Sequence, residues 1–288
     1  PNAYVSHPFE SSINKINLVT YPSKCEQINY YKNLGLLVEG TVSFAKSMTM
    51  SATDLVNYTL TGTAPVYGMA FNPVKNYLYA ADADQDFIYI YKDGTTLLSS
   101  VYLGNITGNN YNTPAYISTD RNSNVWVSLY DQQRLLKFDS ELNYLYTAIP
   151  SVTIPLTSTN DNEFGGTGEH LIAPPVAETD QDNNVWACYA HELSSMLVKF
   201  DSNGVELFMA DTLEVSSVPV SLSINPDKNV WVACYNSNRL ELYSSVDGSL
   251  LSSVQSDFIH PTYTALDRAG NVRFTHGYNF CGVYDVAT

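Results

Sequence analysis

The chain has 288 residues, a formal charge of −15, 44% hydrophobic and only 15% charged residues, and 22 tyrosines. That acidity excludes nucleic acid as a partner, and the scarcity of Glu and Lys favours strands and turns over helices with charged faces. No apolar run reaches the roughly 18 residues that cross a bilayer, so no membrane insertion is expected, and the first residues do not read as a signal peptide.

In chain order, the stretch SSINKINLVTY at 11–21 reads as a strand with no unit of its own. From Pro22 onward a phrase repeats: a proline, about ten residues, then an asparagine that opens a strand. Pro114 leads to Asn124, Pro174 to Asn184, Pro219 to Asn229 and Pro261 to Asn271, with weaker copies from Pro65 to Asn76 and from Pro22 to Asn33. Inside a unit, strand a follows the proline (AYISTD, VSLSIN), and a polar turn follows it (DRNSN, DQDNN, NPDKN, DRAGN). Asn, Asp and Gly supply the unusual backbone angles of that turn. Strand b is VWVSLY, VWACYA, VWVACY or VRFTH, strand c begins near Arg134 or Arg239, and strand d is an alternating tail such as LNYLYTAI.

Four strands in about 40–45 residues is the signature of a β-propeller blade. The expected fold is therefore all-β: one six-bladed propeller domain over 1–288, with blades starting near 22, 65, 114, 174, 219 and 261. The last unit has no room for strand d, so residues 1–21 are expected to complete it and close the ring. Cys25, Cys188, Cys234 and Cys281 lack metal-knuckle spacing, and Cys188 and Cys234 read as small apolar strand residues.

The units, of the form Pro-x-x-apolar, then a turn ending in Asn-Val-Trp-Val, then Arg-Leu-x-x-Phe-Asp, resemble NHL-type propellers, including the virginiamycin B lyase branch. The copy YGMAFNPVKNYLYAADADQDFIYIY is similar to gluconolactonase and regucalcin blades. In such folds the b–c loops and d–a connections share the face around the mouth of a central channel, where binding sites gather. On that face the binding candidates are Tyr130, Tyr189, Tyr235 and Tyr278, with Glu169 and His170 at the end of a long insertion at 157–170. Asp82, Asp84 and Asp86 have the alternate-carboxylate spacing that suits a hard divalent cation such as calcium or magnesium. Phe87 stands where a calcium loop needs glycine, which favours an acidic turn kept in water, and no cofactor is expected. The lyase branch uses His and Glu near the mouth with a divalent metal. If the chain is an enzyme, resemblance points to His191, Glu192 and His276, although no pair matches the family's spacing.

The expected function is a non-enzymatic recognition or assembly platform binding other protein subunits or a surface glycan, in a virion (phage structural or adhesion) or an extracellular assembly. The alternative is a metal-dependent lyase or lactone hydrolase with its site at the channel mouth.

Overall fold

In the computed structural model, the described residues are 2–6, 12–17, 55–59, 66–92, 96–132, 134–151, 171–191, 195–213, 218–255, 260–266, 271–276 and 280–284. They form antiparallel sheets in chain order. Asn2–Ser6 (β1), Ser12–Asn17 (β2) and Leu55–Thr59 (β3) make a three-stranded sheet. Four four-stranded sheets follow. The first is Val66–Asn72 (β4), Tyr77–Asp82 (β5), Phe87–Lys92 (β6) and Thr96–Tyr102 (β7). Next come Pro114–Thr119 (β8), Val125–Leu129 (β9), Arg134–Phe138 (β10) and Tyr144–Ala148 (β11). Then Leu171–Thr179 (β12), Val185–His191 (β13), Ser195–Phe200 (β14) and Glu206–Leu213 (β15). The fourth is Pro219–Ile224 (β16), Val230–Cys234 (β17), Arg239–Tyr243 (β18) and Leu250–Gln255 (β19). Pro261–Leu266 (β20), Val272–His276 (β21) and Phe280–Tyr284 (β22) end the series as three strands among the described residues.

Within each four-stranded sheet the order is sequential, so each is a simple meander. The first strands β4, β8, β12, β16 and β20 pack one against the next, and thus line the inside of the array. They approach closely: a Cβ on Gly68 would lie 2.4 Å from the Ala115 carbonyl oxygen, so only glycine fits there.

The expectation that residues 1–21 complete the last sheet is corrected by the pairing. Ser12–Asn17 sits between Asn2–Ser6 and Leu55–Thr59, so both of its edges are already hydrogen-bonded, and β1 lies against β4. The N-terminal strands thus belong to the first sheet. The Pro22–Asn33 copy lies outside the described residues.

Why do these segments alternate so strictly? Successive residues of a strand face opposite sides. Val125, Val127 and Leu129 pack back onto Tyr79, Ala81 and Ile88 of the preceding sheet, while Trp126 packs forward onto Val185, Ala187 and Tyr189. Trp186 repeats this against Val230 and Val232, and Trp231 against Val272 and Phe274. Each indole is buried between two sheets. In the sheet of β4–β7 the same ladder position is held by Tyr79, opposite Ala70 as Trp126 is opposite Ser118.

The turns are built as read. Asp120 accepts from the N–H groups of Asn122 (2.9 Å) and Asn124 (2.8 Å), and Asn124 Nδ2 donates back to it (2.8 Å). Asp180 with Asn184 and Asp139 with Asn143 copy this arrangement. The left-handed position between them is taken by Ser123 (φ 67°), Asn183 (φ 65°) or Leu142 (φ 62°), so hydrogen bonding by the Asp compensates a conformation that non-glycine residues otherwise avoid.

A forward-reaching latch joins neighbouring sheets. Lys137, buried over the Trp126 ring, pairs with Asp120 (3.3 Å) and donates to the Ser202 carbonyl of the next sheet (2.7 Å). Lys199, over Trp186, pairs with Asp180 (3.5 Å) and donates to the Ser245 carbonyl (3.0 Å). In the sheet before them, Tyr79 Oη donates to the Ser140 carbonyl (2.9 Å), doing the work of the lysine. Cys188 and Cys234 are buried thiols outside any disulfide, packed in one core cluster as their strand positions implied, and Cys234 Sγ donates to Glu241 Oε2 (3.5 Å).

Candidate functional site

The face carrying the b–c turns and the d–a connections is assembled by a second repeated device. After β5, residue Asp86 adopts φ 59°, which turns its carboxylate toward the entry to β8. Its oxygens accept from Thr113 N (2.8 Å), Asn112 N (3.0 and 3.1 Å) and Asn112 Nδ2 (3.1 Å). After β17, Asn238 (φ 56°) does the same, its Oδ1 accepting from His260 N at 2.8 Å. Thr113 (φ 44°) and His260 (φ 61°) directly precede Pro114 and Pro261, so a side-chain acceptor from one sheet holds the strained residue that starts the next.

This disposes of the three aspartates as a cation cradle. Asp86 is buried with its lone pairs spent on N–H donors, Asp82 turns inward to cap Gln85 N (2.9 Å), and Asp84 is exposed. Among the described residues no group of three His, Cys, Asp or Glu converges as metal ligands. Asp82 keeps one buried oxygen without a partner, and burial pushes its carboxyl above the usual carboxylate range. Nor is the turn simply an acidic loop in water: two of its three carboxylates are structural.

The tyrosines divide. Tyr130 and Tyr235, each four residues after a tryptophan, leave the strand end half-buried on this face. Their N–H groups donate to the carbonyls of Thr113 (3.1 Å) and Val218 (2.8 Å). Tyr189 is corrected from a rim residue to a core residue. It lies three residues after Trp186, an odd step that turns it to the opposite side of the strand, where it is fully buried in the cluster around Trp126. Its hydroxyl has no partner, and burial drives its pKa strongly upward. In register it matches Leu129, Cys234 and His276, each of which, like Tyr189, lies four residues beyond the first residue of its strand b pairing, not Tyr130 or Tyr235.

The best-defined side-chain arrangement on this face joins one expected residue, Tyr235, to one that was not among the expected site residues, His260. The rings of Tyr235 and His260 stack with centroids 4.3 Å apart and planes 12° apart. His260 Nδ1 lies 3.0 Å from the Tyr235 carbonyl. A carbonyl oxygen only accepts, so it is Nδ1–H that donates to it. The signal was in the sequence: His260 stands immediately before a blade-opening proline, next to the neighbouring unit's b–c turn. Strand β13 ends at His191 and strand β21 at His276, backbone placements only. Glu192, Tyr278, Glu169 and His170 lie outside the described residues.

No protein-family profile and no curated protein matches this sequence. Solved structures do match in shape. Virginiamycin B lyase from Staphylococcus aureus superposes with a TM-score of 0.67 at 11% identity, over 100% of this chain and 81% of that one. A catalytically inactive variant of the same lyase with Quinupristin gives 0.64 at 10%, over 99% and 88%. A streptogramin B lyase gives 0.64 at 12%, over 98% and 89%. At these identities the likeness establishes the fold: the chain is an all-β protein of several four-stranded antiparallel sheets arranged as a β-propeller, like the virginiamycin B lyase-type propellers. The NHL and gluconolactonase resemblance finds no separate support, and none of these neighbours is a virion protein, so the virion reading is not carried forward.

Proposed function

We propose that the chain is a single-domain propeller of six blades, one per sheet, acting as a rigid recognition platform for a protein subunit or a surface glycan. The observation that carries this is the Tyr235–His260 stack, an aromatic pair pre-set by three hydrogen bonds on the face where loops from successive sheets meet. Flat rings with polar edges, already immobilised, bind sugar rings or peptide groups with little ordering cost. The test is a glycan array with the native protein and Tyr235→Ala. Binding that disappears in the variant, with an unchanged melting temperature, supports the reading. Equal binding by both would remove the stack from it.

A second reading is a lyase with its chemistry at the same mouth, favoured by the likeness to lyase structures over nearly the whole chain. Incubation with Quinupristin and a divalent cation, followed by mass spectrometry, distinguishes the two. Turnover that is lost in His276→Ala would replace the platform reading by the enzymatic one.

A further inference from the structure

At the other end of the channel the inner strands stack side chains in layers. Gly68, Tyr116, Val176, Ser221 and Tyr263 occupy one layer by register. One step nearer the a–b turns come Ala70, Ser118, Glu178, Ser223 and Ala265. In the first layer Tyr116 crosses the axis, its Oη donating to the Val220 carbonyl two sheets away (3.5 Å), and it also meets the Tyr263 hydroxyl. The two phenol rings thus roof the second layer.

Beneath them Glu178 faces the axis. Its surface is open, as a wall of the channel, yet the surrounding protein desolvates it and pushes its carboxyl up to about 7. Among the described residues no cation pairs with it. Beside it in the same layer, on the adjacent strand, Ser118 is only 6% exposed and its Oγ has no hydrogen-bond partner. Ser223, by contrast, spends its hydroxyl on Thr264 Oγ1 (2.9 Å). The groups facing Glu178 from the neighbouring inner strands are therefore neutral: Ala70, Ser118, Ser223 and Ala265, with Tyr116 and Tyr263 above.

We infer that this layer is a binding site for a small protonated amine, with the Glu178 carboxylate as counter-ion, Ser118 Oγ as a further acceptor and the Tyr116 and Tyr263 rings as the roof. An ammonium group carries three donors and no acceptor, and it is attracted to phenol faces. A calcium ion would demand six to eight oxygens, and among the described residues the layer offers one carboxylate. The net charge of −15 draws cations toward the channel.

Butylammonium chloride is the probe, titrated calorimetrically into the full chain at pH 8. Saturable binding is expected, weakened about tenfold or more by Glu178→Gln and about threefold by Ser118→Ala. It should also weaken as the pH is lowered from 8 to 6, because protonated Glu178 is no longer a counter-ion. No binding by the native protein, equal binding by Glu178→Gln, or calcium binding tighter than butylammonium with the same dependence on Glu178 would each overturn the inference. Should Glu178→Gln fail to fold, Ser118→Ala and the pH series decide.

Discussion

Lys199→Met tests the latch between sheets. The substitution keeps the apolar stem against Trp186 and Phe208 and removes only the ammonium, with its bonds to the Ser245 carbonyl (3.0 Å) and to Asp180 (3.5 Å). Taking one partner from a buried ion pair costs about 3–5 kcal/mol, mostly because the other charge is stranded. Asp180 would not be wholly stranded, since Asp182 N, Asn184 N and Asn184 Nδ2 still donate to it at 2.8–2.9 Å. The expected loss therefore sits at the lower end, about 3 kcal/mol, or roughly 6–10 °C in melting temperature for a chain of this size. Urea unfolding followed by tryptophan fluorescence measures it. In the double variant with Asp180→Asn, the two losses should fall short of additive by about 1.5 kcal/mol or more. A Lys199→Met protein within about 0.5 kcal/mol of the native one, or strict additivity, would show that the latch is ornamental and that the Trp packing alone joins the sheets.

Asp86→Ala should cost about 3 kcal/mol, because it leaves the N–H groups of Asn112 and Thr113 without their acceptor in a buried setting, while chelator should leave the native melting temperature unmoved; a chelator-sensitive melt would restore the cation reading of this turn. Glu178→Gln reads out linkage. The native carboxyl titrates at about 7 when folded against 4.5 as its ordinary value, so the folded state holds the extra proton between those values and the native protein loses stability as pH rises through 7. The variant should be more stable than the native protein at pH 8 and indistinguishable from it at pH 4, and scanning calorimetry at the two pH values checks this.

Much of the architecture was legible because the hydrophobic alternation and the turn chemistry agree in every unit. The Asn-Val-Trp phrase marks the same inter-sheet position three times, and prolines 114, 219 and 261 each open an inner strand. What failed was counting by one. Tyr189 reads like Tyr130 and Tyr235 until its distance from the tryptophan is measured, and a single residue reverses its face. The N-terminal strands were misassigned because strand pairing is non-local: nothing in 11–21 announces Leu55–Thr59 as its partner. The latch was visible but unread. KFDS occurs at 137–140 and again at 199–202, its lysine reaching forward and its serine carbonyl receiving from behind. A lysine on the tryptophan's own side of a strand signals a buried partner. The channel layer was invisible, since Glu178, Ser118 and Tyr263 come from three sheets whose inner strands line up only in the assembled array.

The latches also run one way. Tyr79, Lys137 and Lys199 each clasp the sheet that follows, but the next ladder position is Leu242, opposite Trp231, and that boundary depends on Trp231 packing with Phe274 and on the hydroxyls of Ser221, Ser223 and Thr264. Among the described residues, the boundary between these two sheets is thus built from ring packing and hydroxyls, with no lysine in the latch position. During synthesis each clasp can close only after the following sheet has emerged, so these three boundaries consolidate in chain order, from the N-terminal side. Each clasp thereby makes the stability of one sheet depend on the chain that comes after it.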